Sequence, residues 1–572
     1  MLSARLKADI QKLWDAFWSG GIANPITAIE QITYLVFLKR LEDLDDEAVR
    51  QKRRQTSIFA QSYILSDGQG LDGDFFRWSK IHRRTGDDLF SFVRGPVFEW
   101  MKQMEEGEER DRMRDAVFLI PNARLLTQAM GIINDLFVPD RNQDTLGDIY
   151  EHLLGEIAVA GKNGQFRTPR HIIRAMCDLV DPQFGESICD PACGTGGFLI
   201  NAYQHILKSH TSPDILRFAA DGTPIDAIGD RLTPDQHTAL RRNHLHGFDF
   251  DRTMMRLGWM NLIQHGLENP DIGYGDTLGS VFNPRVDKGG DLREFFDVVL
   301  ANPPFTGNID TSDIGPTLKP LGTSKTELLF VELILQLLKP GGRAAVIVPE
   351  GVLFGSTKAH VALRKKLVEE NELRAVISLP GGIFQPYAGV KTSILYLARG
   401  GKTEYVWFYQ VGADGYSLSA KRSDQFRQND LWDMTLKSRL RFASAYAQPR
   451  PAFVDGDTWR QWQAFDAESR SLHYLQPVFH QVSEESEDEV MALQGLDSLN
   501  IEELAAPKDW NTTRESIAKE DENLTAGRYK EFVLPDMDHT KPVELISELA
   551  DLERQIQQGL GDLLEMISEG NV

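Results

Sequence analysis

Ser187-Ile-Cys-Asp-Pro-Ala-Cys-Gly-Thr-Gly-Gly-Phe198 is the stretch on which the reading of this chain turns. A short strand, Ser187–Asp190, ends in an acid and runs into a glycine-rich turn that opens a helix. Glycine lets the backbone turn sharply and approach a ligand without a Cβ clash. Outward from this point, strand and helix patterns alternate from about Thr145 to about residue 400. Leu245–Phe250 and Asp297–Ala301 read as strands, Glu327–Leu338 as a helix stopped by Lys339-Pro340-Gly341-Gly342, and Arg343–Val348 as a further strand. Leu373–Leu379 and Ser393–Leu397 follow, separated by a Gly/Pro-containing loop. Repeated strand–helix units with continuous apolar strands predict an α/β fold with a parallel, doubly wound sheet. Ligands on such sheets sit at the carboxyl ends of the strands.

The acid that opens the glycine turn sets the ligand chemistry. A carboxylate at Asp190 would repel a pyrophosphate and suits a cationic, phosphate-free ligand such as S-adenosylmethionine, which carries an ammonium and a sulfonium. Asp249, in His246-Gly-Phe-Asp249, ends the next strand, where a carboxylate can accept both ribose hydroxyls. Asp251 is the alternative. The gap from Asp190 is long, and Ala219–His237, rich in Asp, Gly and Pro, reads as the loop insertion that fills it. Asp276, in Tyr274-Gly-Asp-Thr277, could accept from an adenine amino group; taken alone it reads as a turn or helix-cap residue. Cys189 and Cys193 make no convincing metal pair and read as small buried residues.

Asn302-Pro303-Pro304-Phe305 directly follows the apolar strand Asp297–Ala301. Two prolines after a strand force a rigid exit and remove backbone donors, while their carbonyls can still accept. The exocyclic amine of a base is a poor nucleophile, because its lone pair is delocalised into the ring. Acceptors that grip its hydrogens favour a pyramidal nitrogen, and the Asn302 side-chain oxygen and the Pro303 carbonyl can supply that grip. Phe305 offers a flat apolar face for an extruded base. In isolation these four residues would be a rigid turn with a packed ring. The acid-plus-glycine motif on a preceding strand of the same sheet turns the reading toward chemistry.

The flanks read differently. Residues 1–140 are predicted to be a helical domain: Asn24-Pro25 marks the start of a helix with Ile29, Ile32 and Val36 on one face, Phe98–Met113 is charged and helix-prone, and Leu125–Phe137 is amphipathic. Lys52-Arg53-Arg54 and His82-Arg83-Arg84 read as solvated faces, with DNA backbone contact as the sharper alternative. Residues 141–480 hold the sheet and its extension, and residues 481–572 an acidic linker (Glu484–Glu489) and a final helix, Pro542–Ile567. In that helix Leu545, Leu549, Leu552, Ile556, Leu560, Leu563 and Ile567 lie near coiled-coil spacing, which suits either packing on the chain's own body or docking on another chain. The net charge is −22 over 572 residues, and −16 of it falls in residues 481–572, so the body is nearly balanced. The acidity therefore does not exclude a DNA partner. No apolar run approaches the roughly 20 residues of a membrane span. The amino terminus lacks the apolar core of a signal peptide, and three Cys without a signal suit a reducing cytoplasm.

Taken together, Asp190–Phe198 and Asn302–Phe305 resemble the amino-methyltransferases of DNA. The closer resemblance is to the modification (M) subunit of type I restriction–modification systems. Gly164-Gln-Phe-Arg-Thr-Pro-Arg170 is similar to that family's upstream cofactor segment, Leu13–Leu44 to its helical domain, and Asn523-Leu-Thr-Ala-Gly-Arg-Tyr529 to its C-terminal segment. The resemblance implies a Rossmann-like methyltransferase sheet between an α-helical N-terminal domain and a C-terminal helical tail. It implies transfer of methyl from S-adenosylmethionine to N6 of adenine in DNA. Asn302, Pro303, Pro304 and Phe305 would be catalytic. Gln165, Phe166, Arg167, Thr168, Pro169, Arg170, Asp190, Gly194, Thr195, Gly196, Gly197, Asp249 and Asp276 would bind the cofactor, with Thr168 and Pro169 also capping the next helix. The implied partners are DNA, a specificity (S) subunit that reads sequence, a second M chain and a restriction (R) subunit, with no membrane. The competing readings are a stand-alone adenine methyltransferase with its own recognition region, a protein-glutamine methyltransferase and a non-catalytic assembly subunit. The intact Asp190, Asn302 and Phe305 argue against the last.

Overall fold

The computed structural model describes residues 4–50, 55–103, 112–137, 149, 152–153, 168–219, 221–242, 244–267, 270–280, 282, 293–385, 389–419, 422–442, 508–530, 554 and 556. Residues 1–529 form one compact unit and 530–572 a second. Gln165, Phe166, Arg167, Lys52-Arg53-Arg54, the acidic run Glu484–Glu489 and all of Pro542–Ile567 except Arg554 and Ile556 lie outside the described residues.

The amino-terminal region is helical, with α1 (Ala4–Ser19), α2 (Pro25–Arg50) and α3 (Ala123–Leu136) as its longest described elements. The Asn24 side-chain oxygen accepts from the N–H groups of Ile26 and Thr27, so α2 starts at Asn24-Pro25 as the sequence signals. Ile29, Ile32 and Val36 are fully buried. Asn122 caps α3 through the Leu125 N–H. The helix expected over Phe98–Met113 is described only from Phe98 to Gln103. Arg84 pairs with Asp88 at 3.0 Å and covers the Phe92 ring at 3.8 Å, so part of the basic run is committed to surface packing.

The sheet has nine strands: β1 (Ile188–Asp190), β2 (Leu245–Asp249), β3 (Asp271–Tyr274), β4 (Phe296–Ala301), β5 (Leu338–Pro349), β6 (Glu372–Ser378), β7 (Thr392–Ala398), β8 (Tyr405–Gln410) and β9 (Asp509–Thr513). Their order is β3-β2-β1-β4-β5-β7-β6-β8-β9. The helices between them include α4 (Arg170–Val180), which precedes β1, α5 (Gly197–Ser209), α6 (Arg252–Gln264), α7 (Thr326–Leu337), α8 (Lys358–Glu369) and α9 (Asp430–Phe442). From β1 the chain winds outward through β2 and β3, then returns to β4 and winds the other way. The crevice between β1 and β4 is therefore the topological switch point, where a ligand is expected.

The doubly wound α/β architecture is present, but the sheet is mixed rather than all parallel. β7 runs antiparallel between β5 and β6, and β9 lies antiparallel on β8. The loop joining β6 to β7 is a return connection, not a crossover, which is why it needs no helix. Lys339-Pro340-Gly341-Gly342 ends α7 as expected and then joins β5 as a bulge. Phe296 pairs with Leu338 and Val298 with Arg343, so this segment holds the extra residues. The Ala219–His237 insertion carries a two-residue hairpin (217–218 with 224–225) and leads into a helix, Pro234–Arg242.

The boundary drawn at residue 481 also needs correction. Residues 508–529 belong to the first compact unit, where β9 extends the sheet. Asn523–Tyr529 folds back beside it: Leu524 donates to the Leu353 carbonyl at 3.0 Å, and Arg364 donates to the Glu522 carbonyl at 2.7 Å. Among the described residues no helix is long and apolar enough to cross a membrane.

Candidate active site

The glycine loop is held from several sides. Asp190 ends β1, is almost fully buried, and accepts from the Ala192 N–H at 3.1 Å. Gly194 and Gly196 have φ of +51° and +78°, conformations that favour glycine, and Gly196 occupies the N-cap of α5. The Cys193 N–H donates to the Phe248 carbonyl at the end of β2 (2.9 Å), and the Thr277 hydroxyl donates to the Pro191 carbonyl (3.1 Å). From α6, the Asn261 amide donates to the Thr195 carbonyl at 2.8 Å. Gly258 of α6 lies so close that a Cβ there would stand 2.6 Å from the Gly194 carbonyl oxygen.

Asp249 completes this loop. One carboxylate oxygen accepts from the Gly194 N–H and the other from the Asp251 N–H, each at 2.8 Å. Asp251 instead caps α6, accepting from Thr253 and Met254 N–H groups with one oxygen. Asp276 is an exposed turn residue whose carboxylate accepts from the Leu278 N–H, the bland role its sequence context suggested.

Burial pushes the Asp190 carboxyl up to about 8, against the pull of the Ala192 N–H, with the charge of Asp249 adding to the rise. Burial also raises Asp249, against the backbone N–H groups that favour its ionised form. Among the described residues neither acid has a cationic partner. A buried acid and a half-buried one beside a glycine cradle form an acceptor set without its counter-charge, and a cationic ligand with hydroxyls fits that set. Cys189 and Cys193 are buried with thiols raised well above the ordinary range, so they are inert packing residues. Among the described residues no cluster of His, Cys, Asp and Glu could hold a metal.

The Asn-Pro-Pro-Phe turn ends the adjacent strand, β4. The Asn302 amide nitrogen donates to the Thr168 hydroxyl at 2.8 Å. Among the described residues the Asn302 amide oxygen is buried and has no partner. A buried acceptor without a donor costs free energy, so an oriented and unused one points to a donor that arrives with substrate. Thr168 does not cap α4. α4 begins at Arg170 with Pro169 at its N-cap position, and no side chain caps it; Thr168 orients Asn302 instead. Thr168 thus reaches the Asn302 turn.

Phe305 also departs from expectation. Its ring is 2 % exposed and meets Phe384 edge to face at 5.1 Å, so its faces are covered by the core. The sequence reading missed Phe384, about 80 residues downstream in the loop between β6 and β7. It also missed Gly258 and Asn261. Gly258 was the more findable, as a glycine inside an apolar helix pattern that implies a close backbone approach.

A doubly wound sheet with an acid-plus-glycine loop on one strand and Asn-Pro-Pro-Phe on the next is a methyltransferase fold. A family model described as N-6 DNA methylase matches residues 141–440, and one described as the HsdM N-terminal domain matches residues 6–133. The methylase subunit of the type I restriction enzyme EcoEI, from Escherichia coli, is 30% identical over 396 residues, 68% of this chain and 74% of that protein. The StySJI methylase subunit of Salmonella typhimurium is 31% identical over 432 residues, 71% of each. A chain solved in work on assembly and conformational transition of a type I R-M system superposes with a TM-score of 0.62 at 24% identity over 99% of both chains. A type I methyltransferase subunit from Streptococcus thermophilus gives 0.58 at 19% identity, covering 92% of this chain and 100% of that one. The two structures bear on fold alone. The chain belongs to the N-6 DNA methylase family, among the methylase subunits of type I restriction enzymes.

Proposed function

We infer that this chain is the modification subunit of a type I restriction–modification complex, methylating the exocyclic N6 of adenine in DNA with S-adenosylmethionine while a separate S subunit reads the sequence. The observation that carries the reading is the amide oxygen of Asn302, buried and without a partner among the described residues, on an amide oriented by Thr168 at the end of β4 beside the glycine loop. The cofactor assignment rests on the fit of the two acids. Asp190 would hold the ammonium, Asp249 the ribose hydroxyls, and Gly194–Gly197 would let the backbone approach. Asp249 is preferred over Asp251 because it bridges to the loop, whereas Asp251 is engaged in capping α6. Gln165–Arg170 would close the cofactor side.

When bound, S-adenosylmethionine supplies a methyl group made electrophilic by the sulfonium. The chain's own residues act on the amine. The Asn302 oxygen and the Pro303 carbonyl accept its two hydrogens and draw the nitrogen toward a pyramidal geometry. Neither group is a strong base, so the proton leaves to water after transfer. Phe305 is packed in the core with Phe384 edge to face, so a base could stack on it only if that packing opens. The partners proposed are DNA, the S subunit, a second M chain and an R subunit.

A direct test is methylation of DNA by the full chain with and without a co-expressed S polypeptide. Methylation that requires the S polypeptide is the expected result. Sequence-specific methylation by the chain alone would replace this reading with a self-contained enzyme.

A further inference from the structure

We propose that Glu30 and Arg256 are positioning residues for the cofactor loop, so that the amino-terminal helix α2 sets the seat of Gly194–Gly197 through α6. The inference rests on the reading that this loop binds S-adenosylmethionine. Arg256, on α6, is buried and donates to Glu30 of α2 at 2.6 Å from Nη2 and 3.2 Å from Nε. The Tyr34 hydroxyl, one turn further along α2, donates to the same Glu30 oxygen at 2.8 Å. Trp259 of α6 and Phe37 of α2 pack with ring centres 5.4 Å apart. These contacts fix α6 to the helical region.

The other side of α6 meets the loop. At about 100° per residue, Gly258, Asn261 and Leu262 cluster on one side of the helix, opposite Arg256. Asn261 donates to the Thr195 carbonyl, and Gly258 leaves no room for a Cβ against the Gly194 carbonyl. A Cβ on Gly196 would stand 3.2 Å from Leu262 Cδ1. α6 also starts at its cap Asp251, two residues after Asp249. Contact this tight transmits a shift of α6 to the loop, because packed interiors have few voids to absorb it. The Glu30–Arg256 pair touches no reacting atom and acts only through α6.

The test is calorimetric titration of the full chain with S-adenosylmethionine. Glu30→Gln is expected to raise the dissociation constant about tenfold, within the usual range for coupled sites. Arg256→Lys, which keeps the charge but loses the two-point grip, should fall between it and the unaltered chain. In the methylating complex, KM for the cofactor should rise while kcat stays unchanged. Combined with Asn261→Ala, Glu30→Gln should add less than its separate effect, because both act on one element. Gln31→Ala is the control. Gln31 sits on the same helix but bonds Val117 and Leu119, so its loss should lower Tm and leave cofactor binding alone. A folded Glu30→Gln or Arg256→Lys chain that binds like the unaltered one would overturn the proposal, as would fully multiplicative effects with Asn261→Ala. No binding by the unaltered chain would overturn the cofactor reading of the loop along with it.

Discussion

The glycine loop and the proline turn end adjacent strands, yet they are finished to different degrees. Around Asp190–Gly197 the loop backbone is already held: β2 holds Cys193, α6 holds Thr195, and Asp249 holds Gly194. At Asn302–Phe305 the amide is oriented, but its oxygen has no partner among the described residues, and the Phe305 ring is packed in the core against Phe384. On the proposed reading, the cofactor side is preorganised and the base side is conditional. That division suits an enzyme whose target must leave a duplex before it can be read, since base extrusion itself costs a few kcal/mol. Disturbing one side should therefore leave the other largely unmoved.

The largest effect is expected on the base side. Asn302→Ala should lower methyl transfer by about 10²-fold or more, the scale for removing one preorganised group from reacting atoms. Its cofactor dissociation constant should be unchanged, so an equal loss of cofactor binding would erase the division. On the cofactor side, Asp249→Ala should weaken binding by roughly 10-fold to 100-fold, as expected for a charged hydrogen bond. Asp251→Ala should instead cost about 1 kcal/mol of stability as a lost helix cap. The reverse pattern in titration and thermal melts would move the ribose contact to Asp251.

A smaller effect concerns pH. Because Asp190 is held at about 8, it must lose its proton to meet a cation, so cofactor affinity should climb by up to about tenfold per pH unit below that value. Asp190→Asn should bind weakly and without that slope. Without cofactor the sign for stability is opposite. Between the ordinary carboxyl range and about 8 the folded chain keeps a proton that the unfolded chain has lost, so this group's contribution falls as pH rises. The smallest effect is expected for Phe384→Leu, which should change KM for DNA and leave cofactor affinity within about twofold. A changed cofactor affinity would mean that the β6–β7 loop serves both sides.

Much of this architecture is legible in the chain itself. Asn24-Pro25 announces α2, the continuous apolar runs announce β4 and β5, and an acid before glycines announces the loop. What escapes is whatever depends on distant partners. Thr168-Pro169 reads as a helix cap, because nothing local reveals that the hydroxyl meets Asn302. Phe305 reads as an open face, because Phe384 covers it from another loop. Asp-Trp-Asn-Thr-Thr at 509–513 falls where the strand and helix patterns have faded, yet it adds an edge strand that pairs antiparallel with β8. β7 reads as one more strand, and only its pairing with both β5 and β6 fixes its antiparallel direction.

The most direct test of the central claim is where the methyl goes. Full chain, S polypeptide and DNA would be incubated with methyl-labelled S-adenosylmethionine, and the DNA digested to nucleosides and separated. Label is expected in N6-methyladenine; label in a methylated cytosine, or in protein rather than DNA, would contradict methylation of adenine in DNA by this chain.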